Sequence, residues 1–287
     1  MKIYALLLTA FTLSLPTHPI QARTYDLSKN PELSQVQKKA QSDAYFQTLL
    51  GRAWVYGIGL KKDVAKGRSL LEKAVVSKHP LAVSTLCLAL SDGSMIPYGG
   101  FPSAAETQQA QRFCNPTVFQ NLIKLATAGD AYAQSNLSTF YALGEAVGSE
   151  FSPEKAVSWS TKAAAQKEAG AQYFLGRAYA TGEGVKKNES KALTWYKAAA
   201  EQGHMKAQSA LGYAYLDGKI VNKDLPTAIK WLTQAAEHGD LKAQFTLGNI
   251  YKKGDGVKKD LVQARRWLGA AAEQGFFPAI DALGELE

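Results

Sequence analysis

The sequence predicts an all-α protein, an α-solenoid of stacked helix–turn–helix repeats, and three observations carry that expectation. Segments of one pattern begin at Ala171, Ala207 and Ala243, 36 residues apart; the first reads AQYFLGRAYATGEGVKKNESKALTWYKAAAEQG. Trp159, Trp195, Trp231 and Trp267 recur at the same period. Inside a unit the apolar positions fall four apart, as at Ala171, Leu175 and Tyr179, which puts them on one helical face. A fixed period of this size marks an array in which each unit buries its apolar side against its neighbour.

Taken in order, residues 1–22 read as a secretory signal peptide, with a basic start at Lys2, an apolar run from Ile3 to Leu15 and Ala22 before the expected cut. That run is short for a membrane span. Residues 23–42 are expected to hold an N-terminal capping helix, begun by Asn30-Pro31-Glu32 and striped by Leu33, Val36 and Ala40. Six repeats then fill 43–276, and a capping half-repeat, 277–287, closes the array. Within each repeat, Gly176, Gly212 and Gly248 follow the helix Leu. Glycine is costly inside a helix, so these positions predict close approach by the second helix. The run Gly-x-Gly-Val at Gly182 and Gly254 supplies the left-handed turn that ends the first helix. Asp63, Ser152, Asn188, Asp224 and Asp260 each stand four before a small residue that opens the next apolar face. They are the expected N-caps of the second helices. The four tryptophans are expected to anchor the core.

Repeat two, 81–130, breaks the rhythm. Leu86-Cys87 holds its Leu-Gly place, but the next such place, Leu137-Ser138, comes 51 residues later instead of 36. An insertion at about 92–113 therefore enlarges the elbow between its two helices. Pro97 and Pro102 exclude one continuous helix there, while Ser103 to Arg112 suits a short extra one. Tyr98 and Phe101 are candidate partner contacts on this loop. Cys87 and Cys114 are the only cysteines. Export favours a disulfide between them, which would staple the elbow; two buried free thiols are the alternative.

Composition narrows the function. Hydrophobic content of 46% and charged content of 20% describe an ordered chain. Net charge is +8, but the lysines are spread as doublets such as Lys61-Lys62, Lys186-Lys187 and Lys258-Lys259 at the repeat spacing. Solvated loop residues explain them better than a nucleic-acid patch, and export points the same way. An acidic protein surface or an anionic lipid headgroup is the expected partner. No catalytic constellation stands out: His204 and His238 read as exposed turn residues on adjacent rungs, and there is no metal spacing, nucleophile elbow or phosphate loop. The expectation is no enzyme activity, no cofactor and no metal.

The motif Ala-Gln-x-x-Leu-Gly-x-x-Tyr-x-x-Gly-x-Gly-Val, followed by Lys-Ala-x-x-Trp-Tyr and Ala-Ala, resembles the Sel-one-like repeat family, relatives of the tetratricopeptide repeat, over about residues 44–287. The likeness is weaker in the first repeat, where Trp54 replaces the helix Tyr, and Ala146 and Ile220 replace the second elbow glycine. It implies a tetratricopeptide-like superhelix that binds a protein in its concave groove, in the periplasm or outside the cell. Exported members serve as envelope adaptors, host-interaction factors or immunity proteins, for example against a secreted phospholipase. Some relatives are linked to penicillin binding or β-lactamase activity; this chain lacks their cysteine pattern, and an envelope hydrolase is kept as the alternative. The groove positions then hold Ser135, Thr139, Tyr173, Arg177, Ser209, Tyr213, Phe245 and Asn249, rimmed by Lys206, Lys242, Lys252 and Lys253.

Overall fold

The computed structural model describes residues 24–91, 104–144 and 149–286. The leader, Tyr98 and Phe101 lie outside them. Among the described residues the chain forms fifteen helices and no named strand. A capping helix, α1 (Asn30–Lys39), precedes the first pair, α2 (Ala44–Tyr56) and α3 (Val64–Val76). The second pair, α4 (Pro80–Ser91) and α6 (Pro116–Thr127), is separated by an extra helix, α5 (Ala104–Phe113). Four regular pairs follow: α7 (Ala131–Leu143) with α8 (Pro153–Ala165), α9 (Ala169–Thr181) with α10 (Glu189–Glu201), α11 (Met205–Asp217) with α12 (Leu225–Glu237), and α13 (Leu241–Lys253) with α14 (Leu261–Glu273). The lone α15 (Phe277–Gly284) ends the stack.

Each pair is held by the devices its sequence encodes. Asp63, Ser152, Asn188, Asp224 and Asp260 all cap second helices, each accepting a backbone N–H two or three residues on. In the enlarged repeat the cap is Asn115, whose amide oxygen accepts from Val118 N–H, and the neighbouring Cys114 sulfur is bonded to Cys87. That disulfide spans Cα atoms 5.2 Å apart and joins α4 to the end of α5. The helix glycines mark contact points, as their place after the Leu implies. A Cβ on Gly212 would lie 2.6 Å from Leu232 Cγ, and one on Gly248 would lie 2.5 Å from Leu268 Cγ. Trp267 is buried, but Trp159, Trp195 and Trp231 are only half-buried, so the fully buried floor is made by leucines such as Leu175, Leu232, Leu247 and Leu268.

The glutamine of the Ala-Gln pair stitches helices together. Gln208 and Gln244 Nε2 donate to the carbonyls of Ala200 and Ala236 near the end of the preceding helix. Their Oε1 atoms in turn meet the residue at the end of the following second helix, His238 Nδ1 at 2.8 Å and Gln274 Nε2 at 2.9 Å. Gln134 with Gln166, and Gln172 with Gln202, repeat the link. Each bond satisfies a buried amide or a terminal carbonyl that would otherwise lose its water without a replacement.

One set of contacts departs from nearest-neighbour stacking. Helix α2 and the elbow after it cross the starts of α7, α9 and α11 in succession. Tyr45 Oη donates to Asp130 Oδ2 (2.9 Å), and Arg52 Nη1 donates to Glu168 Oε1 (2.7 Å). Ile58 pairs its backbone with His204, Gly59 N–H donates to Gly203 O, Met205 N–H to Gly57 O, and Lys62 N–H to His238 O. The approach is close enough that a Cβ on Gly203 would sit 2.8 Å from Gly59 Cα. Ahead of α1, Thr24 Oγ1 donates to Gln166 O and Tyr25 N–H to Tyr132 Oη, so the N-terminal segment runs over the same edge. Repeat one thus folds back onto repeats three to five.

Candidate functional site

The fold-back divides the first-helix face into a covered part and an open part. Ser135 is buried, and its Oγ lies 3.3 Å from Arg52 Nη2. Glu168, N-cap of α9, is buried beside it and holds Gly170 and Ala171 N–H as well as Arg52. Burial opposes ionisation of Glu168, yet the Arg52 guanidinium, helped by Ser135 and the Gly170 amide, holds its carboxyl below the usual carboxylate range. His204, expected as an exposed turn residue, is 5% exposed. It caps α11 through Nδ1, which accepts from Ala207 N–H, and its ring stacks on Tyr173 at 4.6 Å. Burial pushes its pKa down to about 3, so it is neutral in the fold. His238 is half-buried, and burial lowers its pKa too.

The other sequence-derived positions fall into two groups. Thr139 Oγ1 donates to the Ser135 carbonyl one turn back, and Ser209, buried, donates to Asp240 Oδ1. Phe245 packs edge-on against Phe276, 5.4 Å between ring centres. Lys252 is half-buried and paired with Glu285 and the Ala282 carbonyl. These four make contacts within the array. Arg177, Lys206, Lys242 and Lys253 are exposed, and Tyr213 and Asn249 are half-exposed. Lys206 and Lys242 occupy one register 36 residues apart; Arg177, Tyr213 and Asn249 share another. Repetition therefore brings a ladder of cations and hydrogen-bonding side chains onto the first helices of the last three full repeats. Tyr213 Oη is held 3.0 Å from Thr246 Oγ1, which fixes its ring. Arg52 is the groove-register residue that repeat logic passes over: it follows Gly51 as Arg177 follows Gly176, and it is paired with Glu168 of the chain's own repeat four.

Among the described residues no group of three or more His, Cys, Asp or Glu side chains is placed to hold a metal ion, and no helix is long and apolar enough to cross a membrane. Polar side chains instead meet in small structural sets, such as Asn136 with Ser84 and Thr85, and Ser138 with Ser160.

Comparison with known proteins agrees with the repeat reading. No curated protein sequence matches the chain. Among solved structures it is similar to c5321, a protective antigen present in uropathogenic Escherichia coli strains, at 29% identity and a TM-score of 0.57, over 88% of this chain and 51% of that one. The chain thus spans about half the length of that relative. It is also similar to a Sel1 repeat protein from Oxalobacter formigenes, at 26% identity and a TM-score of 0.56, covering 93% of this chain and 83% of the other. The Sel1 repeat model matches residues 44–75, 131–168, 169–204, 206–240 and 241–276, more than half of the sequence, and the chain belongs to the Sel1 repeat family.

Proposed function

We propose that the chain is a non-catalytic protein-binding scaffold of the periplasm or secreted fraction, which holds an acidic protein partner on the first helices of its last three full repeats. Its specific form is an immunity protein that blocks a toxin acting in the periplasm, such as a phospholipase. The observation that carries the reading is the open ladder of Arg177, Lys206, Lys242 and Lys253, interleaved with Tyr213 and Asn249 on consecutive rungs. Arg and Tyr are the side chains that anchor protein interfaces, and a row of cations steers an acidic surface onto them. Stacked rungs keep these groups in fixed relation, so little ordering entropy is lost on binding. A second reading, a host-interaction factor, is favoured by the 29% identity to a protective antigen.

The test is capture from periplasmic extract with the natural protein and with Lys206→Glu/Lys242→Glu, followed by a toxicity assay of any enzyme retained. A partner lost on charge reversal, and whose toxicity the natural chain relieves, supports the reading. Capture unchanged by charge reversal refutes the assigned face. Acylation by a labelled β-lactam that disappears with one serine refutes the non-catalytic assignment.

A further inference from the structure

On a chain of net charge +8, one trough is acidic. It has a volume of about 440 Å³ and lies between the ends of α10 and α12, with Ser28 of the N-terminal segment lining it from the folded-back repeat. Its charged walls are Glu201 and Glu237, the last residues of those two helices, both exposed. Helix C-termini carry partial negative charge, so carboxylate and backbone act in the same direction at both ends of the trough. Lys230 is the only cation among the lining residues.

The floor adds an aromatic face. Trp231 lines the trough and is half-buried. At two of the equivalent positions the indole is capped by a cation of its own helix: Lys162 stands 3.9 Å from the Trp159 ring centre and Arg266 is 4.4 Å from that of Trp267. At Trp231 the cation, Lys230, is 5.9 Å away, at the limit of useful cation–π distance. The polar wall is rigid. His238 and Gln234 both contact the Gln208 amide, at 2.8 Å and 3.4 Å. In the repeats on either side, the equivalent positions hold Gln202 and Gln274 in place of His238, and Ala198 and Ala270 in place of Gln234. The chain's own pattern thus changes at the rung that lines the trough.

We infer that this trough receives the guanidinium or ammonium of an arginine or lysine side chain presented by a protein partner. Two carboxylates on adjacent rungs flank the charge, the Trp231 face covers its flat side, and the wall needs no rearrangement to receive it. A partner polypeptide crossing two rungs is the natural occupant, since solenoid surfaces present their contacts rung by rung. The site lies at the ends of second helices and selects positive charge, so it is separate from the cationic ladder of the first helices and does not rest on it.

The experiment is titration of the full chain with tri-arginine amide, read by tryptophan emission. Saturable binding is expected, with the emission change absent in Trp231→Phe. In Glu201→Gln/Glu237→Gln, affinity read by calorimetry should fall about tenfold or more. Glu273→Gln alters the same register one repeat later, outside the trough, and should bind like the natural chain. Both glutamates are exposed, so folding of the double variant is expected to persist and is checked by circular dichroism. Absence of saturation into the millimolar range overturns the inference, as does equal affinity in the double variant and the natural chain. Spermidine binding as tightly as the peptide also overturns it, by making a free polyamine the occupant.

Discussion

Arg52→Ala removes the centre of the contact by which repeat one folds back, and its consequence follows from burial. Arg52 and Glu168 side chains are 10% and 2% exposed, with 2.7 Å between the paired atoms. The substitution leaves Glu168 buried without its counter-charge, although the Gly170 and Ala171 amides remain bonded to it. It also removes the guanidinium from Ser135 Oγ and from the Tyr132 ring, 5.6 Å away. Breaking a buried pair by deleting one partner costs about 3–5 kcal/mol, most of it from the stranded charge. Replacing both members, as in Arg52→Met/Glu168→Gln, removes the stranded charge and keeps an oxygen for the α9 cap, so the double variant should be more stable than Arg52→Ala. Urea unfolding gives the free energies, and amide exchange gives their location. Exchange across α2 should accelerate about a hundredfold or more in Arg52→Ala. Amides of α13 and α14, remote from the contact, should change little. A loss below about 1 kcal/mol, or equal acceleration along all rungs, would refute a local clasp.

Two further outcomes test the packing. His204 is neutral in the fold, its pKa lowered from 6.5 to about 3 by burial, with Glu168 opposing the shift and Lys206 and Arg52 reinforcing it. Below pH 6.5 the unfolded chain takes up a proton there that the folded chain does not, so stability falls as pH drops from 6.5 towards 3, at a limiting slope of about 1.4 kcal/mol per pH unit, and is flat above that window. His204→Asn, which retains a capping oxygen, should remove this component from the pH dependence measured by urea unfolding. Gly212→Ala places a Cβ 2.6 Å from Leu232 Cγ and should destabilise by about 1–2 kcal/mol despite the better helix propensity of alanine. Gly269→Ala meets nothing within 4 Å and should stabilise by up to about 1 kcal/mol; paired melting curves with opposite shifts would check both.

Local rules were legible because they depend on neighbours in sequence. A cap needs only an acceptor and a free N–H three residues away, so Asp63, Asn188, Asp224 and Asp260 announce themselves. Close approach at Gly212 and Gly248 repeats with the period, so each supports the other. The cysteine pair was legible as a staple from its place around the insertion, although the adjacent cap fell to Asn115. The covered face was not legible. Repeat logic assigns each unit contacts to its immediate neighbours, whereas Arg52 meets Glu168 at a separation of 116 residues. The first-helix caps were also hard to read, because Glu168 and His204 stand in the cap position that Asp130 and Asp240 hold in the repeats on either side.

The fold-back changes what a groove residue means in this chain. In an array whose rungs touch only their neighbours, side chains at equivalent positions have equivalent exposure. Here they do not: Arg52 and Arg177 share a register, yet one neutralises a buried carboxylate and the other is open to solvent. Repeat one supplies its own carboxylate-binding arginine to repeat four, so the array already contains one arginine–carboxylate contact on its first-helix face. Under the proposed function, an acidic ligand would meet the open rungs, where Arg177, Lys206 and Lys242 are exposed and the latter two also face Asp240. Under that proposal the covered rungs exclude a partner, and the ladder beyond them selects its charge.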